Sequence, residues 1–191
     1  CYRLAWLTTD AKRVVYGIRS ASNTADMYVV NFDGTGNRLL KTNSLPVKAW
    51  RDPATGLDWA YYSVGCWSRD CMKGVRRCQI DNPSIDELVY AKSVDYWWMD
   101  VDSSGMYFAA SHADGQLTIT NLKSNTTTLI TNVGSCNATI SRVGGKIYAM
   151  AMHIDHTNAW MADTTKRTWL LPYVFPGQTK DCYVAQYLRW T

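Results

Sequence analysis

Met27-Tyr28-Val29-Val30-Asn31 is followed by the polar run Phe32-Asp33-Gly34-Thr35-Gly36-Asn37 and then by Arg38-Leu39-Leu40. This reads as a strand ending in Asn, a tight turn, and a return strand closing on Leu. The same pattern comes back three times. Cys78-Gln79-Ile80-Asp81 is answered by Glu87-Leu88-Val89, and Leu117-Thr118-Ile119-Thr120-Asn121 by Thr128-Leu129-Ile130. Ala159-Trp160-Met161-Ala162-Asp163 is answered by Thr168-Trp169-Leu170-Leu171. With Asn31, Asp81, Asn121 and Asp163 taken as equivalent, the steps are 50, 40 and 42 residues. That is the length of a four-stranded blade.

Ahead of each hairpin lies a polar turn feeding an aromatic-rich strand. Asp10-Ala11-Lys12 leads into Arg13-Val14-Val15-Tyr16, and Asp52-Pro53-Ala54-Thr55-Gly56 into Trp59-Ala60-Tyr61-Tyr62. Asp102-Ser103-Ser104-Gly105 precedes Met106-Tyr107-Phe108-Ala109, and Val143-Gly144-Gly145 precedes Lys146-Ile147-Tyr148-Ala149. No segment carries a capped 3.6-residue period long enough for a helix. The expected fold is therefore all-β: a single β-propeller domain over residues 1–191 with about four recognisable blades plus one extra strand, an incomplete or truncated ring. The blades fall roughly at 1–45, 46–93, 94–133 and 134–180. Residues 181–191 would be the first strand of a further blade or an exchanged strand, because Cys182-Tyr183 through Leu188 repeats the Cys-Tyr-x-x-x-aromatic-Leu of Cys1-Tyr2 through Leu7.

Composition agrees with a β-rich chain: nine Trp and twelve Tyr stand against three Phe, and such rings suit half-buried pleated surfaces. The formal charge of +4 is scattered, and its densest stretch, Lys73 with Arg76 and Arg77, is too short for a nucleic-acid footprint. No apolar stretch is long enough for a transmembrane helix. Six cysteines match neither zinc nor haem spacing and point to disulfides in an oxidising compartment. Two glycosylation acceptors, Asn125-Thr126-Thr127 and Asn137-Ala138-Thr139, fit that compartment.

The hairpin Asn31-Phe32-Asp33-Gly34-Thr35-Gly36-Asn37-Arg38-Leu39-Leu40 resembles that of TolB-type (PD40, WD40-like) propeller repeats, where a strand ends in Asn, an Asp-Gly-Thr turn follows and an Arg-x-Leu strand returns. The turn Asp102-Ser103-Ser104-Gly105 is similar to the family's Ser-Pro-Asp-Gly turn without its Pro. The resemblance implies a ring that is usually six-bladed and a periplasmic, extracellular or cell-surface interaction platform. It carries over no catalytic residue.

Candidate sites are few. His153-Ile154-Asp155-His156 is the one cluster with metal-ligand character; a strand places His153 and Asp155 on one face and His156 on the other, and His112 is the sole further histidine. Asp100-Val101-Asp102-Ser103-Ser104-Gly105 resembles the opening of a calcium loop but has Ser111 where a bidentate Glu belongs. Asp100 and Asp102 are also a conceivable acid/base pair, yet each occupies a recurring turn position, which argues for architecture. Trp67, Trp97, Trp98, Trp160 and Trp169 could stack on sugar rings, and packing between blades is the plainer reading. Cys66, Cys71 and Cys78 suggest one local disulfide; Cys136 and Cys182 suggest a bridge between adjacent blades, leaving Cys1 for a partner outside the chain or a lipid.

The sequence thus points to a non-enzymatic, secreted or cell-surface module binding protein or glycan, with no cofactor beyond a conceivable calcium. A structural subunit of an extracellular filament, self-associating through the Cys1 and Cys182 strands, is the alternative. A metal-dependent hydrolase built on His153, Asp155 and His156 is the third reading.

Overall fold

The computed structural model describes residues 5–19, 24–64, 73–91, 96–112, 115–131, 135–153, 158–163 and 168–174. Among them are sixteen strands and no helix. They form four antiparallel sheets of four strands, each a simple meander. Sheet I comprises β1 (Ala5–Leu7), β2 (Arg13–Arg19), β3 (Ala25–Asn31) and β4 (Arg38–Lys41). Sheet II comprises β5 (Ser44–Arg51), β6 (Asp58–Val64), β7 (Lys73–Gln79) and β8 (Asp86–Tyr90). Sheet III comprises β9 (Tyr96–Val101), β10 (Tyr107–His112), β11 (Leu117–Asn121) and β12 (Thr126–Thr131). Sheet IV comprises β13 (Ser135–Val143), β14 (Lys146–His153), β15 (Asn158–Asp163) and β16 (Thr168–Val174). These four-stranded meanders are the blades of a β-propeller. The chain separates into two compact units, Cys1–Asp95 with sheets I and II and Tyr96–Thr191 with sheets III and IV. The terminal Cys-Tyr segments that suggested strand exchange lie outside the described residues.

The repeat has a firmer register than the sequence assigns it. The last residue of the third strand pairs with the second strand at Arg13 with Asn31, Trp59 with Gln79, Tyr107 with Asn121 and Tyr148 with Asp163. Gln79, two residues before Asp81, is therefore the true equivalent of Asn31, and the steps become 48, 42 and 42 residues. Asp81 misleads because the strand ends two residues before it, so the loop starts earlier than its composition suggests; Ile80 N donates to Asp58 O as Phe32 N does to Lys12 O and Leu122 N to Met106 O. A similar offset affects the preceding turn. Thr8 N, Asp52 N and Asp102 N each donate five residues ahead, to Arg13 O, Leu57 O and Tyr107 O. Thr8 thus fills the place of Asp52 and Asp102, while Asp10 accepts from Thr8 Oγ1 and Lys12 N inside the turn.

The apolar residue that closes each fourth strand has a specific job. Met27 pairs with Lys41 and Tyr28 with Leu39, which leaves Leu40 as an extra residue. In the same way Val89, Ile130 and Leu170 have no partner on β7, β11 and β15. Every fourth strand therefore carries a bulge, which disrupts the ladder and raises local twist. The first strands β5, β9 and β13 are irregular too. Pro46 in β5 and Pro172 in β16 lie on strands at the border of their sheets, where a missing N–H removes no ladder bond.

Between sheets I and II the core is Val15, Met27, Val29 and Leu40 against Ala49, Ala60, Tyr62, Cys78 and Ile80, flanked by Trp6. Each fully buried aliphatic side chain here contributes about 1.5–3 kcal/mol. Cys78 belongs to this core as a free thiol, so a local disulfide in this stretch would fall to Cys66 and Cys71, which lie outside the described residues. The strand turns Cys78 toward Ala60 and Ile80, and burial raises its pKa to about 11. In the second unit Ile119, Ile130 and Leu117 of sheet III meet a face of sheet IV made of Ala138, Ala149, Ala151 and Ala162 with Ile140 and Ile147. Small side chains on one sheet receive large ones from the other, which is how close-packed layers interdigitate.

Polar ties join the sheets inside each unit. Lys41 of sheet I reaches Asp86 of sheet II at 2.6 Å, and Asp86 also accepts from Arg76 Nε at 2.8 Å and from the Tyr62 hydroxyl. Burial alone would raise the pKa of Asp86, but the bonds from Lys41, Tyr62 and Arg76 outweigh it and hold the carboxyl below its usual range. Next along β7, Arg77 points to the other face. Its guanidinium lies 4.4 Å from the Trp59 ring centroid and farther from those of Trp50 and Tyr61, at 5.8 and 6.0 Å. The basic stretch Arg76-Arg77 is thus engaged by the chain itself, one residue on each face of the strand.

Candidate interaction surface

The turns between first and second strands and between third and fourth strands share one end of each sheet. Their backbones are locked by their own side chains. Asp33 accepts from Thr35 N and Oγ1, and Asp52 from Ala54 N and Thr55 Oγ1. Asn121 Oδ1 accepts from Lys123 N and Ser124 N. Gly36 is required in the first hairpin: its φ is +65°, and a Cβ would stand 2.9 Å from Asn31 Nδ2. Asp, Asn, Ser and Thr in such turns substitute side-chain oxygens for missing backbone partners. The result is a set of rigid loops on a rigid scaffold.

In the first unit this end carries a charged centre. Arg13, opening β2, donates to Asp58 at the start of β6 and to Asp81 beyond β7, and Arg51 Nη1 reaches Asp58 at 3.2 Å. Asp58 is only 4% exposed and is held by two guanidinium groups. Burial works against the charge on Arg13, but bonds to Asp81 and Asp58 raise its pKa further. Arg38 Nη2 adds a bond to Ile80 O across the two sheets.

Around that centre stand apolar side chains facing solvent. Phe32 is 70% exposed, and Leu7, Leu57 and Ile85 are also exposed. Their backbones are fixed: Phe32 N donates to Lys12 O, Leu57 O accepts from Asp52 N, and Ile85 is bonded to Gln79 and Asn82. In the second unit Met106 and Val143 are exposed at the corresponding turns. Among the described residues the remaining exposed large apolar groups are Ile18 and Val64 at the opposite end and Leu39, Leu88 and Leu129 on the fourth strands. Aromatic and aliphatic groups presented on preordered loops around a charged pair are the usual material of a protein contact.

Of the sequence-derived metal candidates the structure describes the side chains of Asp100 and Asp102, and the chain's own groups occupy both. Asp102 is fully buried, and its carboxylate accepts from Ser104 N and Oγ, Met106 N and Tyr107 N, as a turn residue does. Asp100 faces sheet IV, where Thr139 Oγ1 donates to it at 2.8 Å and Ile140 N at 3.2 Å. His112 Nε2 lies 2.7 Å from Thr118 Oγ1 in a buried setting. Among the described residues no group of three or more His, Cys, Asp or Glu side chains could hold a metal ion. His153 ends β14, and Asp155 and His156 lie outside the described residues, as do Cys1, Cys66, Cys71, Cys182 and Trp67. Cys136 and Asn137 fall within β13, and Trp97 and Trp98 within β9, while Trp160 lies in β15 and Trp169 in β16. Asn125 is exposed at the β11–β12 turn with φ +54°. Sequence reasoning missed the Arg13–Asp58 centre, because its members are 45 residues apart and meet only through sheet packing.

No protein-family model matches the chain, and no curated protein matches it. Solved structures do. A chain in the crystal structure of a nidogen/laminin complex superposes with a TM-score of 0.67 at 14% identity, covering 92% of this chain and 64% of that one. Dihydro-heme d1 dehydrogenase NirN, in complex with DHE, superposes with a TM-score of 0.58 at 10% identity, covering 91% of this chain and 38% of that one. This chain therefore spans less than two thirds of either. At such identities the likeness is one of fold, and the fold is an all-β assembly of propeller-type repeats.

Proposed function

We propose that the chain is a non-catalytic, secreted or cell-surface propeller module of TolB-like repeat type that binds a partner protein through its turn-bearing end. The observation that carries this reading is the exposed Phe32, with Leu57 and Ile85 on neighbouring loops, set about the partly buried Arg13–Asp58 pair. Such a patch exposes apolar area without needing to reorganise on binding, which lowers the entropic cost of association. That one structural neighbour was solved within a nidogen/laminin complex is compatible with the same use of the fold. The filament reading draws no support from the fourth strands, since their bulges interrupt the edge a neighbouring strand would have to join.

Site-specific photo-crosslinking tests the proposal. A benzophenone amino acid at Phe32, Leu57 or Ile85 should capture a common protein adduct when the chain is expressed in its native host. The same probe at Ile18 or Leu129 should not. Adducts confined to Ile18 or Leu129, or none from any position, would refute it.

A further inference from the structure

Sheet III holds a cavity of about 330 Å³ lined by Tyr107, Ile119, Asn121, Ser124, Thr126 and Thr128. The register explains why these residues meet. Tyr107 pairs with Asn121 and Asn121 with Thr126, while Ile119 pairs with Thr128, so two cross-strand rows present one face of β10, β11 and β12. Ile119, which packs into the core with sheet IV, closes the inner end of the cavity, and the half-buried Tyr107 ring stands beside it. The rim is polar and carries no charged side chain.

The polar atoms of this rim are underused. Asn121 turns Oδ1 to the backbone of Lys123 and Ser124, which leaves its Nδ2 donors uncommitted. The hydroxyls of Tyr107, Ser124 and Thr128 likewise have no hydrogen-bond partner among the described residues. Together they offer donors and acceptors of both kinds around an apolar inner end and one aromatic ring. The size lies at the lower end of small-ligand pockets. We infer that this cavity is a binding site for a neutral saccharide unit, its apolar ring face toward Ile119 and Tyr107 and its hydroxyls toward Asn121, Ser124 and Thr128. Absence of charge from the lining disfavours phosphates, carboxylates and cationic ligands, which need a counter-charge or a dense donor set.

Such a sugar has two sources. It can arrive on another molecule, or it can be the first residue of a glycan on Asn125, which sits between the two lining residues Ser124 and Thr126 within an Asn-Thr-Thr acceptor.

Saturation-transfer NMR and calorimetric titration with N-acetylglucosamine, galactose and mannose provide the test. At least one should bind non-glycosylated protein at millimolar concentration. Thr128→Val and Asn121→Asp should each weaken it by about tenfold, the loss expected when one bonded partner is removed from a site built around it. Both variants keep the shape of the side chain, and Asn121→Asp keeps the acceptor that caps the turn, so melting temperatures should stay near that of the parent. Failure of all three sugars to bind, or binding unchanged by both substitutions, would overturn the assignment. Protein from a glycosylating host separates the sources. If it binds no free sugar while Asn125→Gly, which tolerates the positive φ, does bind, the pocket seats the chain's own glycan; if both bind, the sugar belongs to a partner.

Discussion

Asp100→Ala should be among the most damaging single changes in the second unit. The carboxylate is 3% exposed and belongs to β9, yet two of its donors, Thr139 Oγ1 and Ile140 N, come from β13 of the next sheet; Val101 N supplies a third at 2.9 Å. Truncation would strand these donors in a site where Thr139 and Ile140 are themselves buried. Each buried donor left unsatisfied costs about 1–3 kcal/mol. Discounting the longer Ile140 bond, the remaining two donors sum to about 2–6 kcal/mol. Thr139→Val removes one donor and leaves the carboxylate partly bonded, so its cost should be about 1–2 kcal/mol. Because the two residues share a bond, the double variant should fall short of additivity by about 1 kcal/mol. Urea unfolding followed by circular dichroism, with a full double-mutant cycle, measures all of these terms. An Asp100→Ala cost below about 1 kcal/mol, or strict additivity with Thr139→Val, would refute the reasoning. Calcium added to the parent discriminates further, since a bound ion would raise the midpoint in proportion to the logarithm of its concentration. We expect no such rise, because the protein's own groups already occupy Asp100 and Asp102.

Two predictions concern pH and reactivity. Asp86 has its carboxyl held below the ordinary value, so its contribution is complete above the unfolded-state pKa near 4 and disappears as pH falls below it; the acid unfolding midpoint should move to higher pH in Lys41→Met, and a midpoint that does not move would exclude the Lys41–Asp86 tie. Cys78 has its thiol raised to about 11, so its contribution is complete below the unfolded-state value near 9 and is lost between that pH and about 11. Iodoacetamide labelling at Cys78, read by peptide mass spectrometry, should proceed only through opened molecules and speed up with added urea, and rapid modification of the folded chain would contradict its place in the core.

Much of this architecture is legible in the residues because it is local. Strand, turn and closing Leu sit within one hairpin, and their recurrence announces four sheets without any knowledge of packing. The register is less legible: Asp81 looks like Asn31, but the ladder ends at Gln79, a difference fixed by bonds between strands rather than by composition. Asp100 and Cys78 illustrate a second limit. An Asp near a turn resembles a metal ligand until the neighbouring sheet supplies Thr139, and nothing in the spacing of Cys66, Cys71 and Cys78 tells that Cys78 is the one facing an apolar wall. The Arg13–Asp58 centre and the saccharide cavity depend on groups from several strands, and no linear pattern marks them.

The extra residue in each fourth strand bears on how such a chain is made. Each meander of about forty residues pairs only strands that are consecutive in the chain, so each sheet can form soon after it leaves the ribosome, before the next copy exists. Four similar copies synthesised in succession then risk pairing with the wrong sibling. Leu40, Val89, Ile130 and Leu170 stand at matching places in every copy, so each sheet is finished with a border that its successor cannot extend. The punctuation between copies is written inside the repeat itself, and duplication of the unit duplicates the safeguard with it.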